Sequence, residues 1–260
     1  MPKEIKTISI AVKYLVLLVL ILSAAACSSL NKKETSVFEP EESFRKANEL
    51  IENKHFEEAR TVLEDIKAKD ASQNYAALAG VRIADTYFES GEYEEAAVEY
   101  EHFLDVQPYH KYSSYAQYKL AMSHYSMIKT VDVSYSWAKR ALEEFEKLQR
   151  HYPRNPYMDI VDARMRACRQ VLAEHELYVG KFYFKKGSYA AAANRFSGLV
   201  RDYADSKNES EALYYLSLSY ENMGRRDEAV NTLTALIQKF PTTKLSGEAK
   251  ELIDSLNNEK

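Results

Sequence analysis

The sequence predicts an all-α fold: an α-solenoid of five helical hairpins, arranged as two modules joined by a long helix. Three observations predict it. Only 7 Gly and 6 Pro punctuate the 260 residues, so few points break a helix. Tyrosine is abundant, 20 against a single Trp, and it recurs at fixed intervals, as packing residues of repeated helices do. Small residues recur in register: Ala47, Ala84, Ala121, Gly180 and Ser217 stand 37, 37, 59 and 37 residues apart. A single hairpin cannot bury its apolar face, so hairpins that repeat at a fixed period must stack.

The chain opens with an address. Lys3, Lys6 and Lys13 precede the apolar run Tyr14 to Ala26, which is short for a membrane span and ends in small residues. Residues 1–26 therefore read as a signal peptide. Small residues immediately before Cys27 resemble a bacterial lipobox, which makes Cys27 the expected lipid anchor. Ala24 stands where such a box usually has Leu, and ordinary cleavage without lipidation is the alternative. Ser28 rather than Asp follows the cysteine; by resemblance to sorted lipoproteins this implies the outer membrane. Residues 27–40 are polar and charged, and are expected to form a flexible tether.

Residues 41–153 hold repeats one to three. A second small residue follows the first by 12 positions, at Ala59 and Ala96, but by 20 at Ala141. The third repeat therefore carries an eight-residue insertion around Ile128 to Tyr135. A large apolar residue stands four after each second small one, at Leu63, Tyr100 and Phe145. Small residues let two helices approach, and large ones fill the gap between hairpins. Gly91, Gly187 and Gly224 mark turns between paired helices, where glycine takes the left-handed conformation that ends a helix. Pro108, Pro153 and Pro241 stop helices at repeat ends. This is the tetratricopeptide-type pattern, with about three residues added between hairpins.

Residues 154–256 hold a connector and repeats four and five, whose second small residues are Ala192 and Ala229, followed by Phe196 and Leu233. Asp159 to Lys186 lacks proline, and Val161, Met165, Cys168, Leu172, His175 and Val179 recur at helical spacing. One long helix, or two nearly continuous ones, is expected there. Cys168 reads as a small buried side chain.

Within this connector the sequence becomes specific. Asp162-Ala163-Arg164-Met165-Arg166, Leu172-Ala173-Glu174-His175-Glu176-Leu177 and the stretch Gly187 to Asn194-Arg195 occur in that order. They resemble the BamD family, tetratricopeptide lipoproteins of the outer-membrane β-barrel assembly machine. The resemblance runs from about Glu39 to Leu256, with one departure: Tyr203-Ala204 stands where the family usually has Tyr-Pro. It implies a lipid-anchored scaffold on the periplasmic face of the outer membrane. The implied partners are a BamA-like barrel subunit, through its periplasmic domains, other lipoproteins of the complex and unfolded outer-membrane proteins. A second reading stays open, an adaptor lipoprotein that coordinates envelope or peptidoglycan synthesis.

Two sets of residues are candidates for binding. First helices of such repeats line a groove, at positions three before and one, four and five after the small residue. This selects Phe44, Asn48, Ile51 and Glu52; Val81, Asp85, Phe88 and Glu89; and Tyr118, Met122, Tyr125 and Ser126, with Tyr115 one turn earlier. Such a stripe suits an extended peptide or an aromatic chain end, because aromatic rings give large contact area at low entropy cost. The same stripe can equally be inter-repeat core. Arg164, Arg166, Arg169, Arg195 and Arg201 offer bidentate donors to partner carboxylates; the alternative pairs them with this chain's own Glu174, Glu176 or Asp202.

Catalytic chemistry finds no support. The six His are never four apart, and the sequence has no phosphate loop, dinucleotide fingerprint or nucleophile elbow. No metal or cofactor is expected. A formal net charge of -4 with interspersed signs makes nucleic acid an unsuitable partner.

Overall fold

Eleven helices follow one another in the computed structural model, which describes residues 38–71, 73–129 and 131–258. The leader, Cys27 and nearly all of the tether lie outside the described residues. The helices are α1 (Pro40–Glu52), α2 (Phe56–Lys69), α3 (Ala76–Ser90), α4 (Tyr93–Val106), α5 (Ser113–Ser126) and α6 (Val131–His151). They continue with α7 (Met158–Lys185), α8 (Tyr189–Asp202), α9 (Glu209–Asn222), α10 (Arg226–Lys239) and α11 (Lys244–Asn258). Each packs on the next in chain order, as in a solenoid. Among the described residues no strand is present, and no helix is long and apolar enough to cross a membrane.

The turns inside the hairpins follow from backbone chemistry. Gly91, Gly187 and Gly224 have φ of 85°, 72° and 70°. In each case the next residue donates back to a carbonyl of the first helix: Glu92 N to Tyr87 O at 2.9 Å, Ser188 N to Tyr183 O at 3.0 Å, Arg225 N to Tyr220 O at 2.9 Å. The first hairpin makes the same turn without glycine. Lys54 takes φ 62° there, and His55 N donates to Leu50 O at 2.8 Å. Second helices begin with acids, Glu57-Glu58, Glu94-Glu95 and Asp227-Glu228, which favour the positive end of the helix dipole.

Helices meet at the registered small residues. Ala47, Ala84, Ala121 and Ser217 of the first helices and Ala59, Ala96, Ala141, Ala192 and Ala229 of the second are 0 % exposed, as are Leu63, Tyr100, Phe145, Phe196 and Leu233. Gly180 marks a close contact of this kind. A Cβ there would lie 2.5 Å from the Phe196 ring, and that ring is wholly buried.

The insertion in repeat three is helical. It lengthens α6 to 21 residues, against 14 in α2, α4, α8 and α10. The extra turns bridge both neighbours: Trp137 stacks on His124 of α5 at 5.9 Å, and Tyr135 meets His175 of α7 at 4.5 Å. The connector is a single 28-residue helix, α7, about 42 Å long. Its first half places Val161, Met165, Cys168 and Leu172 against Ala121, Ala138, Ala141, Phe145 and Leu148. Its second half joins Ala173 and Leu177 to Ala192, Phe196 and Leu199 of α8. The Cys168 thiol is buried and pushed up to about 12, which leaves it a packing group at neutral pH. Five hairpins do not exhaust the fold, because α11 covers the last one. Ala249 and Leu256 join Leu213, Leu233 and Leu236 in one cluster.

Replacing Gly180 by Ala would favour the helix by about 1 kcal/mol in intrinsic propensity, but the overpacked Phe196 contact costs roughly 1–3 kcal/mol. We expect a net loss of stability, read as a lower midpoint in urea unfolding followed by circular dichroism. Ala at the half-buried Gly198, where a Cβ meets nothing within 4 Å, should leave the midpoint unchanged or raise it.

Candidate functional site

The groove positions divide into wall and surface. Ile51, Val81 and Asp85 are buried, at 5 %, 2 % and 4 % exposure; the expectation that Val81 and Asp85 line an open groove is corrected, whereas Ile51 still borders a cleft. Val81 packs in one cluster with Ala84, Tyr100 and Leu120, and Asp85 is covered by the hydroxyls of Tyr100 and Tyr115. Phe44, Asn48, Phe88, Tyr115, Tyr118, Met122 and Tyr125 remain partly exposed.

Residues that open the next first helix meet this stripe. Phe44 faces Tyr75 at 5.8 Å, and Tyr118 stacks on Tyr157 at 4.3 Å with 9° between planes. Tyr112 packs against the cluster that holds Val81. Spacing did not select Tyr75, Tyr112 and Tyr157, although Tyr75 and Tyr112 each stand nine before the small residue of their helix.

Asp85 organises the centre of the groove. Its Oδ1 accepts from Tyr100 Oη at 2.5 Å and Tyr115 Oη at 2.7 Å, and its Oδ2 accepts from Arg82 Nη1 at 3.0 Å. Arg82 Nε also donates to Asn48 Oδ1 at 3.1 Å, which links the first two repeats. Burial, then the Asp85 charge, pushes both tyrosine hydroxyls far above the ordinary phenol range. They therefore stay protonated donors, and the buried carboxylate is fully satisfied.

Beside this network lies a cleft of about 680 Å³ lined by Ile51, Glu52, Lys54, Phe56, Arg82, Phe88, Glu89 and Lys119. Three first helices contribute to it. Phe56 and Phe88 are its aromatic walls, and Lys119 Nζ stands 3.3 Å above the centre of the Phe88 ring. Spacing had selected Ile51, Glu52, Phe88 and Glu89 but not the cations.

The five arginines do not form one cluster. Arg164 turns inward, donating from Nη1 to Tyr125 Oη at 3.3 Å with its guanidinium 4.8 Å from that ring. Arg166 and Arg169 line a cleft of about 640 Å³ with Gln170 and Lys207. Arg169 pairs with Glu146 at 3.3 Å; Arg166 is exposed and forms no ion pair among the described residues. Arg195 and Arg201 share a second cleft of about 530 Å³, with Tyr135, Asn194 and Tyr203. They pair with Glu176 at 3.3 Å and Asp202 at 2.7 Å, two of the internal partners the sequence offered. The Arg201–Asp202 pair is solvated and contributes little to stability, whereas Glu176 is mostly buried beneath Arg195. Among the described residues no group of three or more His, Cys, Asp or Glu could hold a metal ion.

A family model described as "YfiO: Outer membrane lipoprotein" matches residues 38–232. The chain is 27 % identical over 209 residues to the outer membrane protein assembly factor BamD of Rickettsia prowazekii, covering 80 % of this chain and 83 % of that one. It is 25 % identical over 236 residues to the BamD of Neisseria meningitidis serogroup A, covering 85 % and 88 %. Among solved structures, the TPR2AB domain of yeast Sti1 in its pHSP90 complex aligns with a TM-score of 0.46 at 14 % identity, over 82 % of each chain.

Asp85→Ala would strand two hydroxyls and one guanidinium in the wall between repeats. A loss of about 3 kcal/mol is expected in urea unfolding. Tyr100→Phe should lose less, and the double variant should lose less than the sum of the two single changes.

Proposed function

Because the chain belongs to the YfiO family of outer membrane lipoproteins, we propose that it is a non-catalytic assembly factor for outer membrane proteins. It is anchored through lipidated Cys27 at the periplasmic face of the outer membrane. The groove of repeats one to three, residues 41–153, receives unfolded outer-membrane proteins as extended segments. The module of residues 154–256 holds the periplasmic domains of a BamA-like barrel subunit, and other assembly-complex lipoproteins dock beside it.

The observation that carries this reading is the aromatic-walled cleft between α1, α3 and α5, with cations at its side. Rigid rings and pinned polar groups bind a flexible chain with little ordering of the protein itself. The α7–α8 arginines supply a second, chemically different face, suited to carboxylates of a folded partner. The family match supports a role in outer membrane assembly, and these two surfaces are the ones we assign to it.

Purification of the lipoprotein from detergent-solubilised outer membrane should recover a large barrel protein with periplasmic domains. Recovery of cell-wall synthases in its place would overturn the assembly reading. Cys27→Ser should release the chain from the membrane fraction. Phe88→Ala should weaken binding of an unfolded outer-membrane protein about tenfold, the equivalent of about 1.4 kcal/mol, with unchanged helical circular dichroism. Charge reversal at Arg195 should weaken recovery of the barrel protein and leave peptide binding intact.

A further inference from the structure

The two edges of repeats one to three carry different chemistry. Helices joined by short connections reverse direction each time, so α1, α3, α5 and α7 begin at one edge, where α2, α4 and α6 end. Contacts run along that edge. Phe44 of α1 faces Tyr75, just before α3. Gln73 and Gln107 line one small cleft with Ala76, Phe103 and Val106. Tyr152 Oη then donates to the Pro108 carbonyl at 3.0 Å. The connections that precede α3, α5 and α7 thus form one continuous border. The opposite edge, at the hairpin turns, exposes Glu52, Glu57, Glu58, Glu89, Glu94 and Glu95.

The first border presents apolar groups and free cations. Tyr109 is 98 % exposed, Val106 60 % and Ile160, in the first turn of α7, 49 %. Single exposed apolar side chains are ordinary, but these three share one border. Lys111 and Arg154 are exposed beside them and form no ion pair among the described residues. Asp105 and Asp159 are exposed there too, so charge alone would hold an anionic surface weakly and the apolar groups must contribute. A tyrosine, branched apolar side chains and unpaired cations along one border suit the boundary of a bilayer. Tyrosine rings settle there among the headgroups, and Lys and Arg meet lipid phosphates.

Chain length points the same way. Pro40, which opens α1 at this border, stands 13 positions after Cys27, a reach of at most about 45 Å when fully extended. A molecule anchored at Cys27 cannot carry this border far from the lipid. We propose that the border formed by the connections before α3, α5 and α7 lies on an anionic phospholipid surface. Tyr109 and Val106 sit at the headgroup boundary, and Lys111 and Arg154 bind lipid phosphates. The inference rests on the Cys27 anchor of the proposed function and adds the orientation of the anchored molecule: first helices begin toward the lipid, and the acidic turns face away from it.

The test uses the full-length lipoprotein in vesicles of phosphatidylethanolamine and phosphatidylglycerol. A fluorescent dye is placed on His151→Cys, exposed at the proposed border, or on Glu94→Cys, at the opposite edge; Cys168 is buried and escapes labelling. Lipids spin-labelled at the headgroup should quench the dye at position 151 and not at 94. Lys111→Gln with Arg154→Gln should lower the docked state about thirtyfold, because each cation near such a surface is worth about fivefold, and the quenching should be lost. Tyr109→Ser should weaken it, whereas Tyr178→Ser, an exposed tyrosine of the second half of α7, should not. Lys111→Arg with Arg154→Lys should preserve it. Equal quenching at the two positions, or quenching at 151 that survives both the Gln pair and Tyr109→Ser, overturns the inference, and flotation of the chain with the vesicles then leaves the anchor reading standing. A dye at 151 that ignores the lipid but responds to rising protein density marks a contact between copies and overturns the lipid assignment. If the chain does not float with the vesicles, the anchor reading falls and the inference with it.

Discussion

The whole architecture depends on how closely two helix backbones can approach at one residue per crossing. Where Ala47, Ala84, Ala121, Gly180 and Ser217 lie against neighbouring helices, the missing side-chain bulk is filled from the other side by Leu63, Tyr100, Phe145, Phe196 or Leu233. That exchange of small for large fixes the height and rotation of each helix. The positions three before and four after the small residue then fall where they do as a geometric consequence. A groove of this kind is thus a by-product of core packing, and its side chains inherit the rigidity of the contacts beneath them.

Rigidity reaches the groove surface through Asp85. A carboxylate held at 4 % exposure would be costly alone. Here it gathers Tyr100, Tyr115 and Arg82, and through Arg82 it reaches Asn48. Four helices, α1, α3, α4 and α5, contribute side chains to that one network. The ordering of these groups is completed on folding, before any partner arrives, which is the condition under which binding a flexible chain is least expensive. The arginine-lined clefts along α7 and α8 follow a different logic, since their charges are balanced pair by pair, by Glu146 and Asp202 near the surface and by the more buried Glu176.

Backbone constraints were the legible part of the sequence. Small residues, glycine turns and proline stops act on the chain directly, so the five hairpins and the long α7 could be read from spacing. The turn at Lys54 could not, because a left-handed lysine leaves no compositional mark. The insertion was located but not its state: Ile128 to Tyr135 shows no helical periodicity, yet α6 extends through much of it. Groove residues were half legible. Fixed offsets treat every repeat alike, whereas Val81 and Asp85 sit between two neighbours and Phe44 does not. Contacts that depend on distant pairing were not legible at all. Arg164 meets Tyr125 from 39 residues away, and nothing local announces it. Asp202 was readable as the partner of Arg201 because it is the next residue, and Glu176 only as one of several acids on the same connector.

The last helix carries a consequence for assembly of the molecule with itself. Every hairpin in a solenoid presents its successor with a sticky apolar ledge, and the fifth would do so to any molecule able to reach it. Such a ledge is not its own mirror, so two copies could not close on each other, and joining would run on as an open filament. With Ala249 and Leu256 of α11 laid over Leu213, Leu233 and Leu236, that ledge is covered by the chain's own helix.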